Sequence, residues 1–171
     1  MSDHRKLTII ATKGTLDWAY PPYILASTAA ALGMEVSVFF TFYGLNLLLK
    51  DTSPLKVTPT GNPSMPMKMP MGPKWLRNID FGPKIPNVLW NVPFMDTIAT
   101  VLMKKTITNC GVASIDELRS LCQEAEVKFL ACQMTVELFG YSHSQFIDGV
   151  EYVGAATYFE ESSNATQSLF I

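Results

Sequence analysis

Hydrophobic positions along the chain fall into short unbroken runs separated by segments of helical length. "LTIIAT" (Leu7–Thr12) is one such run, and "EVSVFFT" (Glu35–Thr41) is a second, rich in β-branched and aromatic residues. "VKFLA" (Val127–Ala131) has the same character, and "VEYVG" comes after a turn at Asp148–Gly149. Runs without strict apolar–polar alternation fit strands buried on both faces. Between them, "PPYILASTAAALG" predicts a helix with proline in its first turn and Gly33 as its stop. "YGLNLLLK" and "QMTVELFG" predict short helices, and Phe94–Thr108 a longer one ending near Gly111. Ser114 with Glu117 three residues on forms a capping-box pattern. Ile115, Leu118, Leu121, Cys122 and Ala125 then share one helical face. The tail "ATYFEESSNATQSLFI" reads as helical in part.

Strands alternating with helices predict an α/β fold: a three-layer sandwich around a mostly parallel sheet of four to five strands. Chemistry in such sheets gathers at the carboxyl ends of the strands. Asp51–Pro93 interrupts the alternation with most of the prolines and many methionines. The residues after Pro93 complete the same pattern, so residues 1–171 read as one domain with a long excursion at about 51–93. Trp75 and Trp90 favour an ordered excursion over a disordered one.

Composition changes the picture in one respect. Only 16% of the 171 residues are charged against 48% hydrophobic, where about a quarter charged is usual. Apolar surface should therefore be hidden in a homo-oligomer or, less simply, at a membrane. The runs Trp18–Met34 and Val36–Leu49 are broken by Pro21, Pro22, Gly33 and Gly44, with Glu35 between them. That argues against a spanning helix, which needs about 20 apolar residues. Net charge is −2 and no long Lys/Arg cluster occurs, which argues against nucleic acid as a partner. The start "MSDHRKLTII" lacks a signal-peptide pattern, so a cytoplasmic protein is expected. Three cysteines without a C-x-x-C pair, and two histidines, speak against a disulfide scaffold and a structural zinc site. No metal and no organic cofactor is expected.

Cys132 is the sharpest chemical candidate. It leaves a buried strand and enters a helix, where free N–H groups favour a thiolate. The competing reading is a small hydrophobe packed at the junction. Cys122 lies on an apolar helix face and reads as core; Cys110, beside Gly111 on a loop, reads as a second thiol or as incidental. In "TKGTLD", Gly14 and Thr15 offer backbone N–H groups to an anion, or the loop is a plain turn capped by Asp17. His143 reads as solvated and Asp148 as turn chemistry. In "SMPMKMPMG", Met65, Met67, Met69 and Met71 face one way if the segment is extended, while Pro66 and Pro70 bar it from a central strand. Thioethers select Cu(I), but adaptable packing as a lid or subunit contact fits better. The expected place for this ribbon is over the mouth above Cys132 or at a subunit seam beside it.

"ACQMTVELFGYSHSQFIDGVEYVGAATYF", "KGTLDWAYPPYILASTAAALGMEVSVFFTFYGLNLLLK" and the methionine–proline excursion together resemble the DsrE/DsrF/DsrH-like family. The resemblance spans nearly the whole chain and points to the DsrE-like, peroxiredoxin-like branch found near sulfur-metabolism genes. It implies a flavodoxin-like three-layer sandwich, an oligomer, and sulfur transfer through a cysteine persulfide. The family thiol after the strand maps onto Cys132 of "LACQM". Cys110 and His143 are not carried over. The expected function is a cytoplasmic sulfur carrier or sulfurtransferase holding sulfane sulfur on Cys132. Its partners would be other sulfur-carrier or thiol proteins. The alternatives are a non-catalytic oligomeric binding or assembly module, or a nucleotide or coenzyme A thiol site at the strand ends.

Overall fold

A computed structural model describes residues 5–57, 68–79 and 94–171. The chain divides into two compact units. The first comprises Met1–Gly14, Trp18–Leu55 and Ile115–Ile171, the second Thr15–Asp17 and Lys56–Ser114.

The first unit is built on a parallel sheet. Its strands are β1 (Lys6–Ala11), β2 (Glu35–Phe40), β3 (Lys128–Cys132), β4 (Val150–Val153) and β5 (Gln167–Phe170). They lie in the order β4-β3-β2-β1-β5. Four strands stand where the apolar runs predict them. The fifth comes from the tail, which splits into helix α6 (Ala155–Ser162) and β5. β5 carries no apolar run because all four of its residues are exposed at the sheet edge. Its pairing with β1 supplies what its sequence lacks: Thr8 Oγ1 and Ser168 Oγ meet at 2.8 Å, and Ile171 N–H donates to Ile10 O at 2.8 Å.

Alternate residues of the strands serve two helical layers, so the unit has three. On one face Tyr23 of α1 (Leu16–Ala31) packs against Phe40 and Phe129, each ring centre 6.0 Å away. On the other, Tyr158 of α6 stacks on Phe39 at 5.0 Å, in a cluster with Leu130 and Cys132. Each such buried side chain contributes roughly 1.5–3 kcal/mol. α1 begins at Leu16, earlier than its sequence predicts, and keeps Pro21 and Pro22 inside. The rings remove two backbone donors there, which burial of Ala19, Tyr23 and Ala26 in the core offsets.

The amino ends of the strands are held by charge. Lys6 pairs with Glu35 at 3.3 Å and Glu161 at 2.9 Å, and Lys128 pairs with the same carboxylates at 3.1 and 2.9 Å. At the carboxyl ends, β2 runs into a 3₁₀ helix (Phe42–Leu48). Arg119 of α4 (Ile115–Glu124) is buried and closes this helix by donating to Leu49 O at 2.6 Å, with Asp116 as its ionic partner. An unpaired guanidinium there would be strongly destabilising.

The second unit holds α2 (Lys74–Arg77) and α3 (Met95–Asn109). Thr100 Oγ1 accepts from Val57 N–H at 2.9 Å, Lys56 pairs with Asp96 at 2.9 Å, and Asn109 Nδ2 donates to Pro70 O at 2.9 Å. The methionine–proline stretch is thus tied to α3 within its own unit. No helix among the described residues is long and apolar enough to cross a membrane.

Candidate functional site

Cys132 ends β3 and is the N-cap of α5 (Gln133–Phe139). Its side chain is only 5% exposed, among Phe39, Leu130 and Tyr158. Burial raises the thiol pKa. The hydroxyls of Thr135 and Thr41 and the amides of Thr135 and Met134 outweigh it, holding the thiol below the ordinary 9.0, although Cys132 as N-cap makes no side-chain cap hydrogen bond. Thr41 Oγ1 and Thr135 Oγ1 lie 3.3 Å apart. The sulfur thus sits in an apolar pocket with a polar ring of donors. A pocket of this kind favours the anion without a histidine or a metal, because hydrogen bonds to a charged acceptor are strong in a low dielectric.

Backbone geometry holds that ring in place. Thr41 stands between β2 and Phe42, whose φ of 49° is left-handed, a conformation costing an L-residue about 1–2 kcal/mol. Gly14 and Gly44 allow the loop after β1 and the 3₁₀ helix to meet backbone to backbone. A Cβ on Gly14 would stand 2.0 Å from Tyr43 O, and one on Gly44 2.1 Å from Ala11 O. The space at Gly14 is therefore filled by a carbonyl. Thr15, the other residue of the expected anion loop, keeps a buried hydroxyl with no hydrogen-bond partner among the described residues.

Next in sequence to the sulfur's donors come exposed apolar side chains. Phe42, Tyr43, Met134, Leu138 and Phe139 are all exposed. Tyr43 and Phe139 stack at 5.8 Å, and Phe42 meets Phe139 edge-on at 6.3 Å.

The other candidates have different surroundings. Cys122 is fully buried, and its Sγ donates to Tyr23 O at 3.5 Å. Burial pushes its pKa up to about 11, which keeps it a protonated core thiol. Cys110 is exposed at the carboxyl end of α3, in a cleft of about 410 Å³ within the second unit. Met69 lines the same cleft and Met71 is exposed, whereas Met65 and Met67 lie outside the described residues. His143 is exposed and stacks on Tyr152 at 3.7 Å, and Asp148 O accepts from Gln123 at 2.8 Å. No group of three metal-ligating side chains occurs among the described residues.

Thr41 and Thr135 escape a reading of the sequence. Thr135 sits three residues after the cysteine, where an N-cap side chain meets helix N–H groups. That spacing is a usable signal. Thr41 directly follows a strand more than ninety residues away, and only the β2–β3 pairing brings it close.

The family model of the DsrE/DsrF/DrsH-like family matches residues 3–170. The chain is 57% identical over 169 residues to sulfur carrier protein DsrE2 of Allochromatium vinosum, covering 99% of both. It is 30% identical over 182 residues to uncharacterized protein YrkE of Bacillus subtilis, covering 98% of this chain and 97% of that one. The crystal structure of the YchN protein from E. coli superposes with a TM-score of 0.54 at 12% identity, over 98% of this chain and 99% of the other, a likeness of fold. A parallel five-stranded sheet flanked by helices, with a match across nearly every residue, makes this chain a member of the DsrE/DsrF/DrsH-like family.

Proposed function

We propose that the protein is a cytoplasmic sulfur carrier that holds sulfane sulfur as a persulfide on Cys132 and relays it to another thiol protein. The observation that carries this reading is a thiol at the carboxyl end of a parallel strand and the N-cap of a helix, beside the Thr41 and Thr135 hydroxyls that lower its pKa. The near-full-length similarity to a protein named as a sulfur carrier supports it. In the loading step the Cys132 thiolate attacks the terminal sulfur of a donor persulfide. The donor S–S bond breaks and its thiolate leaves with the electron pair. In the delivery step an acceptor thiolate attacks the outer sulfur and Cys132 departs as a thiolate. Neither step needs an external oxidant, a metal or a cofactor. Donors that stabilise the thiolate speed its departure, since a more acidic thiol is the better leaving group. A reducing cytoplasm suits free thiols of this kind.

A second reading has its own observation. A sulfur only 5% exposed fits a packed residue of a non-catalytic binding or assembly module. One experiment separates the two: treat wild type and Cys132→Ala with inorganic polysulfide and map mass gains by peptide. The carrier reading expects one added sulfur on Cys132 in wild type and none at that peptide in the variant. No gain at Cys132 overturns it and leaves the binding module.

A further inference from the structure

We propose that a second site, the cationic cleft at the carboxyl end of α3, takes a small sulfur oxyanion bearing a sulfane sulfur and loads Cys110 from it. This rests on the sulfur-carrier reading above but uses a different thiol and a different donor.

The cleft, about 410 Å³, has room for a small ligand. Lys68, Lys74 and Arg77 line it together with Asn78, Asn109 and the exposed Cys110. Among the described lining residues there is no carboxylate. Lys74 and Arg77 are three apart on one turn of α2 and so share a face. The 2.9 Å bond from Asn109 Nδ2 to Pro70 O ties the Lys68 segment to the end of α3 that bears Cys110. A helix carboxyl end by itself attracts cations, but it carries only about half a negative charge. Among the described lining residues, three lysine and arginine charges therefore leave a surplus of roughly two and a half, which suits a dianion.

The thiol in the cleft selects among dianions. A thiosulfate-like donor places its oxyanion on the cations and offers its outer sulfur to Cys110. The Cys110 thiolate, its proton lost to solvent, attacks that sulfur. The S–S bond breaks, sulfite leaves with the electron pair, and Cys110 keeps a persulfide. Atoms and electrons balance without any further reactant.

The test uses full-length Cys132→Ala, so that the strand-end thiol is silent. Rates of Cys110 alkylation by anionic iodoacetate and neutral iodoacetamide are compared by peptide mass spectrometry at low salt. The iodoacetate-to-iodoacetamide ratio should exceed that of a free model thiol by about tenfold, the lower end of electrostatic focusing by a charged cleft. It should fall toward the free value in K74Q/R77Q, whose altered side chains are exposed. Thiosulfate should protect Cys110, add one sulfur there and release one sulfite. A ratio equal to the free thiol's overturns the site; protection without sulfur gain overturns the donor assignment. Loading of Cys132 by polysulfide is scored separately in wild type, so failure here and failure of the carrier reading are distinguishable.

Discussion

The two thiols proposed to carry the chemistry, Cys132 and Cys110, contrast in burial and in the charge around them. Cys132 is buried, apolar on its sides, and held below the ordinary thiol pKa by nearby hydroxyls and amides. Cys110 is exposed, ends a helix, and stands in a cleft lined by cations. The first environment stabilises a thiolate by local donors and keeps water away. The second recruits charged partners from solution and leaves the sulfur open.

The largest effect expected from this contrast is kinetic. Under neutral iodoacetamide the native protein should label at Cys110 first and at Cys132 later. Cys122 should stay unlabelled until unfolding, about a thousandfold or more slower than Cys110, since its exposure requires global opening. Pulsed labelling with mass mapping reads all three at once. Labelling of Cys122 alongside Cys132 would show that the first unit opens locally and would weaken the distinction between a holding pocket and a core.

Gly14→Ala ranks next. A Cβ placed 2.0 Å from a backbone carbonyl forces the loop after β1 off the 3₁₀ helix, and stability should fall by about 3 kcal/mol or more in urea denaturation. Gly33→Ala is the control. Its φ of 75° is left-handed, but nothing lies within 4 Å, so a loss of only about 1–2 kcal/mol is expected.

Thr135→Val probes the acidity itself. Removing one hydrogen bond to a charged acceptor costs about 1.5 kcal/mol or more, roughly tenfold in thiolate population. The pH–rate profile of Cys132 alkylation should level off below the ordinary thiol value of 9.0 in wild type and shift upward in the variant. An unchanged profile would remove the hydroxyl from the account of acidity.

The smallest effect is a sign difference between two buried thiols. Cys132 has a depressed folded pKa, so its contribution to stability is present above the unfolded value and is lost as pH falls through the folded one. Cys122, raised to about 11, contributes fully below the unfolded value and loses its contribution as pH rises through the folded one. Urea midpoints between pH 7 and pH 11 for Cys132→Ala and Cys122→Ala should therefore diverge in opposite directions from wild type.

Legibility tracks how much local pattern each element carries. The apolar runs of β1, β2 and β3 announce buried strands because burial on both faces leaves no polar alternation. The exposed edge strand β5 has no such mark; its identity is conferred by β1. Cys132 is legible because a strand-to-helix junction is a local feature of "LACQM". Thr41 is not, since its role depends on a register between distant strands. The Cys110 cleft is legible only as a lone loop cysteine, because the lining cations Lys68, Lys74 and Arg77 come from residues some thirty-three to forty-two positions earlier.

The edge position of β5 has a consequence for the order in which the molecule frays. Thr8 and Ser168 pair across 160 residues, the largest sequence separation of any strand pair in the sheet. Its four residues are exposed and its removal leaves β4-β3-β2-β1 intact. β5, at the edge and exposed, is expected to be the first strand to detach in the native state. Its amides, and those of the flanking Thr166 and Ile171 that donate to β1, should exchange hydrogen well before those of β2. While it is detached, β1 becomes the open edge of the sheet, and a protein with an unpaired strand of its own can borrow that edge.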